Sequence, residues 1–131
     1  MSRPFKLTVF VILAGMFLAC GTHRSPLGPA HLFSRGDQPI EIEAKSYSFS
    51  PNHLVVLPSA SPRILRLTNS SDTWHNFTLV DPQGKTVLTR NLDPKESVTI
   101  SADFLTSGNY VFYCDQFLHR YRGMEGMLMI D

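Results

Sequence analysis

The stretch that decides both the fold and the chemistry of this 131-residue chain is FYCDQFLHRYRGMEGMLMID, residues 112–131. It contains Cys114, the only cysteine after residue 20, and His119 five residues later. It also contains all three methionines that follow residue 16. Thiolate, imidazole and thioether groups are ligands that transition metals accept. Their concentration in so short a window predicts a metal site.

Short strand-like runs separated by turn sequences occupy the chain from about residue 37 onward. WHNFTLV, residues 74–80, places His75 on its apolar face, and NYVFYC, residues 109–114, places Cys114 on its apolar face. The turn sequences DPQG and DPK separate later runs. We count roughly eight strands and no helix longer than about one turn, a pattern typical of a two-sheet antiparallel sandwich.

The N-terminal segment has the features of a secretory signal. Arg3 and Lys6 precede an apolar run of thirteen residues, 7–19, which is too short to span a membrane comfortably. The following FLAC resembles the bacterial lipoprotein box, although Phe stands where that box usually has Leu. The resemblance implies cleavage before Cys20 and attachment of lipid to it. Ordinary secretion or an uncleaved anchor are the alternatives, and each places the protein outside the cytoplasm.

These observations divide the chain into three parts: a signal peptide at 1–19, a lipid-anchored or flexible linker at 20–36, and one domain at 37–131. The linker, GTHRSPLGPAHLFSRG after the cysteine, has no sustained periodicity. Loss of residues 1–19 removes two of the twelve basic residues and none of the eleven acidic ones, which leaves a net charge of −1 with His neutral. No basic block indicates binding to nucleic acid.

Four side chains can converge on one ion if the strands stack as a sandwich. Cys114 ends a strand, His119 folds back from the following loop, and Met124 lies on the loop's return limb; His75 is the obvious fourth candidate. Each residue alone has an ordinary interpretation as core packing, in a metal-free adhesion sandwich for example. Together they form the ligand set of a mononuclear blue-copper site. Met127 is the alternative to Met124 as the axial ligand.

On these motifs, residues 37–131 resemble the cupredoxins, the blue copper proteins that include plastocyanin, rusticyanin and auracyanin. YSFSP is similar to the family's opening, LTNSSDTWHNFTL to the segment of its first histidine, and YCDQFLHRYRGMEGMLMI to its ligand loop. The resemblance implies an all-β Greek-key sandwich with one copper ion. It also implies four copper ligands, which are His75, Cys114, His119 and Met124.

The resemblance further implies roles for residues around the ligands. Asn76 is expected to hydrogen-bond across to the cysteine loop, and His119 is expected to reach the surface within a ring of apolar side chains. Tyr113 offers a second route for electrons, and two arginines lie on the rim of the expected docking surface. The candidate electron-exit or docking residues are Tyr113, Phe117, Arg120, Tyr121 and Arg122.

These expectations favour a monomeric protein without enzymatic activity, periplasmic or membrane-anchored, that shuttles single electrons between redox partners. Cytochromes or a terminal oxidase or reductase are partners of the expected kind. The alternative is a periplasmic copper carrier or storage protein without redox cycling, which the three methionines within six residues favour. An enzyme with an open copper or zinc position has less support, because Asp115 and Glu125 are expected to face water.

Overall fold

The computed structural model describes residues 26–131, so the expected signal segment and Cys20 lie outside the described residues. Ten strands and no helix occur in this part of the chain, and they form two sheets, which confirms the predicted all-β sandwich. Within the same range, no helix is long and apolar enough to cross a membrane. The strands are β1 (His31–Phe33), β2 (Ile40–Lys45), β3 (Ser48–Ser50), β4 (His53–Val56), β5 (Ile64–Asn69), β6 (His75–Val80), β7 (Thr86–Leu92), β8 (Ser97–Ser101), β9 (Gly108–Tyr113) and β10 (Glu125–Ile130).

The larger sheet has the strand order β1-β4-β10-β9-β6-β7, and the smaller has the order β3-β2-β5-β8. The sheets are mixed rather than purely antiparallel, because β1 with β4, β10 with β4, and β2 with β5 pair in parallel. The chain crosses from one sheet to the other between these partners, so no hairpin forces them to run in opposite directions.

The structure has two strands more than the sequence indicates. The sequence PIEIEAKSYSF, residues 39–49, has the pattern of one continuous strand, but it divides into β2 and β3 at a tight turn, where Tyr47 adopts a φ of 61°. The other addition is β1, which lies inside the segment 20–36 that was expected to be a linker. Residues 31–33 of that segment therefore belong to the larger sheet. A strand that pairs through its backbone at a sheet edge requires no pattern of side chains.

The alternation predicted for the strands places apolar side chains between the sheets. Ile40 and Ile42 are buried in β2, whereas Glu41 between them is exposed. Three phenylalanine rings join the layers: Phe77 and Phe112 of the larger sheet stack with centroids 5.1 Å apart, and Phe49 of the smaller sheet meets Phe112 edge-on at 5.4 Å. Aromatic pairs of this kind contribute about 0.5–1.5 kcal/mol each beyond the area that they bury.

Gly126 marks the closest approach between β10 and its surroundings. A Cβ atom at this position would fall on the ring of Phe112 and 2.5 Å from the carbonyl oxygen of Asn52. No ordinary van der Waals contact is that short, so any larger residue must displace the ring or the backbone that precedes β4.

We therefore expect Gly126→Ala to lower the free energy of unfolding by about 1–3 kcal/mol, the usual range for an overpacked core. Denaturant unfolding measures this change. Gly36→Ala is the matched control, because a Cβ there would meet no atom within 4 Å. Equal loss of stability in the two variants would contradict the packing described for β10.

Candidate metal centre

Three of the predicted ligands meet at one end of the sandwich. His75 begins β6, Cys114 follows β9, and His119 lies in the loop between β9 and β10. Cys114 Sγ lies 3.5 Å from Nδ1 of His119 and 3.9 Å from Nδ1 of His75. The two Nδ1 atoms are 3.2 Å apart. Residues separated by as much as 44 positions in sequence are thus gathered within hydrogen-bond distances.

The separations between these three atoms suit ligands of a single ion. Two bonds of about 2.0 Å that meet at roughly 105–110° place the bonded nitrogens about 3.2 Å apart, and a bond of about 2.3 Å to sulfur accommodates both longer distances. The donors also fit copper, because two imidazoles and a thiolate form the trigonal set of a blue-copper site. His75, Cys114 and His119 would hold the ion.

Strand pairing explains why His75 and Cys114 meet. β6 and β9 are antiparallel neighbours, with Thr78 opposite Tyr113. Continued by one residue, this register places Cys114 opposite Phe77, so His75, two residues before Phe77 on the same face, lies diagonally across from Cys114. Phe77 and Phe112 are the next residues inward on the same face of each strand, and they form the stacked pair beneath the site.

The loop is held by its own backbone. The amide of His119 donates to the carbonyl of Gln116, and the amide of Met124 donates to the carbonyl of His119, both at 3.0 Å. The amide of Cys114 donates to the carbonyl of Met124, also at 3.0 Å. This last bond closes the loop and brings Met124 next to the cysteine.

The surroundings of the three methionines favour Met124 as the axial ligand. Met124 is fully buried at the return of the loop. Met127 and Met129 are half-buried in β10, where they alternate with the buried Leu128 and Ile130. They consequently lie on the face of the strand that points away from the core.

Asn76 joins the strand of the first histidine to the cysteine loop, as the family resemblance implies. Its Oδ1 accepts a hydrogen bond of 2.8 Å from the amide of Asp115, and its Nδ2 donates to Thr78 Oγ1. Its own backbone amide donates to Cys114 Sγ at 3.4 Å. No residue pattern indicates this last contact, because every residue except proline offers the same donor. Both faces of β6 are buried, and these bonds satisfy the polar atoms of Asn76 there.

Asn69 is a supporting residue that the sequence analysis missed. It is fully buried, and its Nδ2 donates to the carbonyls of Thr73 and Leu92. Its Oδ1 accepts from the amide of Ser71 at 3.0 Å. These bonds fix the turn that leads into His75. The signal that would have identified it is the sequence NSSD, since an Asn side chain that bonds two residues ahead is a common turn former.

Burial sets the protonation of the unligated site. Desolvation lowers the pKa of His75, and the neighbouring His119 lowers it further. Desolvation also lowers the pKa of His119, with a smaller contribution from Arg122. Desolvation raises the pKa of the Cys114 thiol above its ordinary value, although the backbone amides of Asn76 and Gln116 oppose this rise. Near neutral pH the unligated site therefore contains a protonated thiol and two neutral imidazoles.

The candidate docking residues fall into two groups. Phe117 and Tyr121 are 88% and 71% exposed, beside the half-buried His119. The arginines instead lie against other side chains of the protein. The guanidinium carbon of Arg120 lies 4.0 Å from the ring centroid of Tyr113, and that of Arg122 lies over the ring of Tyr47.

The expectation that Glu125 faces water is wrong. This side chain is only 8% exposed, and its Oε2 accepts a hydrogen bond of 2.9 Å from Nε of Arg120. A carboxylate is buried readily when a guanidinium compensates its charge. Asp115 is exposed, as expected.

From these protonation states, binding of Cu(I) at pH 7.5 should release about one proton per ion, because only the thiol must ionise to become a ligand. Calorimetric titration in buffers of different ionisation enthalpy measures this number. Cys114→Ser is the control and should release almost none. A value near zero for the unaltered protein, or near two, would contradict the assigned protonation.

Several solved structures share this fold. The dithionite-reduced auracyanin from the photosynthetic bacterium Roseiflexus castenholzii aligns with a TM-score of 0.60 and 20% identity, over 71% of this chain and 96% of that one. Auracyanin A from Chloroflexus aurantiacus, described as a "blue" copper protein, aligns with a TM-score of 0.55 and 18% identity, over 79% and 100%. At these identities the likeness shows the fold alone.

One similar structure is an enzyme. The copper-containing nitrite reductase NirK from Thermus scotoductus aligns with a TM-score of 0.56 and 22% identity, over 72% of this chain and 23% of the reductase. Comparison with curated protein sequences gives no significant match. Residues 9–130 match the family model described as the cupredoxin-like domain. The chain therefore belongs to the cupredoxin-like domain family, with His75, Cys114, His119 and Met124 arranged as a type 1 copper site.

Proposed function

We propose that this protein is a mononuclear type 1 copper protein that shuttles single electrons between redox partners and catalyses no reaction of its own. The observation that carries the proposal is the burial of a His₂Cys set at the end of a rigid sandwich. His75, Cys114 and Met124 have no solvent exposure, and His119 alone among the four is half-buried. Such a site shields the sulfur ligands while one ligand ring remains near the surface.

The rigidity of the ligand set supports electron transfer over other copper chemistry. Copper supplies a one-electron couple whose two oxidation states differ in preferred geometry. Here the donor atoms of the two histidines and the cysteine lie 3.2–3.9 Å apart, as the ligands of one ion do. Two of the ligands are fixed by strands that the stacked phenylalanines hold together. Gain or loss of an electron would then require little movement of atoms.

The surface near His119 is the proposed contact for redox partners. Phe117, Leu118 and Tyr121 are exposed there, and such side chains allow close approach with release of water. The positive rim contributes less than the sequence indicates, because Glu125 compensates the charge of Arg120. Tyr113, which lies under Arg120, is the proposed second route.

The same proposal places the protein outside the cytoplasm, in the periplasm or anchored to a membrane by lipid on Cys20. Its support is the N-terminal sequence: two basic residues, thirteen apolar ones and the FLAC motif. Partners reached from this location would be cytochromes or a terminal oxidase or reductase. Mass spectrometry of the mature protein tests the anchor, which is contradicted if Cys20 carries no lipid.

A copper carrier or storage protein is the second candidate. Its support is the group of three methionines, since thioethers favour Cu(I). However, Met127 and Met129 lie on the face of β10 that points away from the core. A buried sulfur set exchanges metal slowly, so rapid transfer of copper to a competing chelator would favour this candidate over electron transfer.

The electron-transfer proposal predicts an intense visible thiolate-to-copper band in the oxidised protein and a reversible one-electron wave in voltammetry. Cys114→Ser should lose the band while the sandwich remains folded, because serine is close in size to cysteine and can accept the hydrogen bond from the amide of Asn76. Circular dichroism verifies the fold of this control. A colourless protein that is loaded with Cu(II) and has an intact Cys114 would refute the proposal.

Two variants test the assignment of Met124 as the axial ligand. Met124→Leu should keep the band and raise the reduction potential, since a weak donor to copper is lost. Met127→Leu has the same change of side chain outside the site and should leave the potential unaltered. Voltammetry of both proteins decides the question, and a shift confined to Met127→Leu would reassign the axial ligand.

A further inference from the structure

Tyr47 occupies an unusual position between the site and the solvent. It lies in the two-residue turn between β2 and β3, with a φ of 61°. Glycine or asparagine adopts this left-handed conformation readily, whereas an aromatic residue does so at a cost in free energy. The side chain is 39% exposed, so it is not a core residue whose burial would explain the conformation.

The ring of Tyr47 contacts both the ligand His119 and the guanidinium of Arg122. It meets the ring of His119 edge-on, with centroids 4.9 Å apart and planes at 72°. The guanidinium carbon of Arg122 lies 4.6 Å from the centroid of the Tyr47 ring. Arg122 and His119 both belong to the ligand loop, while Tyr47 comes from the smaller sheet. One side chain thus connects the loop to the other layer of the sandwich.

His119 is the ligand that needs such support. His75 is fixed by strand β6, and Cys114 is fixed by backbone bonds to Asn76 and Met124. The backbone of His119 is held within its loop, but these bonds leave the torsions of its side chain free. A cleft of about 310 Å³ lies beside its ring, and Tyr47, Trp74 and Gln116 are among the residues that line it. Without the tyrosine, this side of the imidazole would be open to small ligands.

We propose that Tyr47 is a positioning residue that fixes the ring of His119 for copper and closes that side of the site to external ligands. The strained turn places the aromatic ring against His119, and the guanidinium of Arg122 packs over the same ring. The inference deepens the proposed function, on which it rests, by identifying what limits rotation and exchange of the loop ligand.

Three variants separate this role from general stability. Tyr47→Phe keeps the ring and removes the hydroxyl. Tyr47→Asn removes the ring and tolerates the left-handed backbone, so it introduces no new strain. Arg122→Leu removes the group that packs over the ring. The readouts are the visible and paramagnetic resonance spectra of the Cu(II) form, its titration with imidazole, and the rate of copper loss to a chelator.

Tyr47→Phe should match the unaltered protein in every readout. Tyr47→Asn should bind imidazole with a change in the thiolate band, and should lose copper roughly twofold to tenfold faster, the range expected for one lost aromatic contact. Arg122→Leu should show the same changes to a smaller degree. A Tyr47→Asn protein with unchanged spectra, no imidazole binding and a lower melting temperature would overturn the inference. Failure of the unaltered protein to form the blue band would instead overturn the proposed function.

Discussion

The stacking of Phe77 on Phe112 is the contact on which the metal centre depends. It holds β6 and β9 side by side. The next residues outward on the same faces, two positions away in each strand direction, are His75 and Cys114. Phe49 adds the smaller sheet to this cluster, so that both layers of the sandwich support it. The centre therefore derives its geometry from the hydrophobic core.

The rest of the centre is built from backbone hydrogen bonds supplied by neighbouring loops. Met124 and Cys114 are joined through their main chains, and Asn76 joins β6 to the residue after the cysteine. Asn69 performs the equivalent task for the turn before His75. Two buried amides and a closed loop thus hold ligands that come from distant parts of the sequence, which is the preorganisation that a low barrier to electron transfer requires.

The fold and the donor set could be read from the sequence because both leave periodic or chemical signatures. The alternation of apolar residues predicted the strands. The combination of Cys114, His119 and a His75 on an apolar strand face predicted that these side chains meet at one metal site. The edge strand β1 and the parallel pairing of strands were not predicted, since backbone pairing between distant segments leaves no residue pattern. The burial of Glu125 was not predicted either, because it depends on the contact of its carboxylate with Arg120.

The two buried asparagines have a consequence for how this protein can be produced. Asn69 begins NSS and Asn76 begins NFT, so each lies in an acceptor sequence for N-linked glycans. Both side chains are at most 2% exposed, and both amide groups are engaged in hydrogen bonds. A sugar attached during translation in a eukaryotic secretory pathway would have no room in the folded sandwich. Synthesis in cells that lack this modification avoids the conflict between glycosylation and folding.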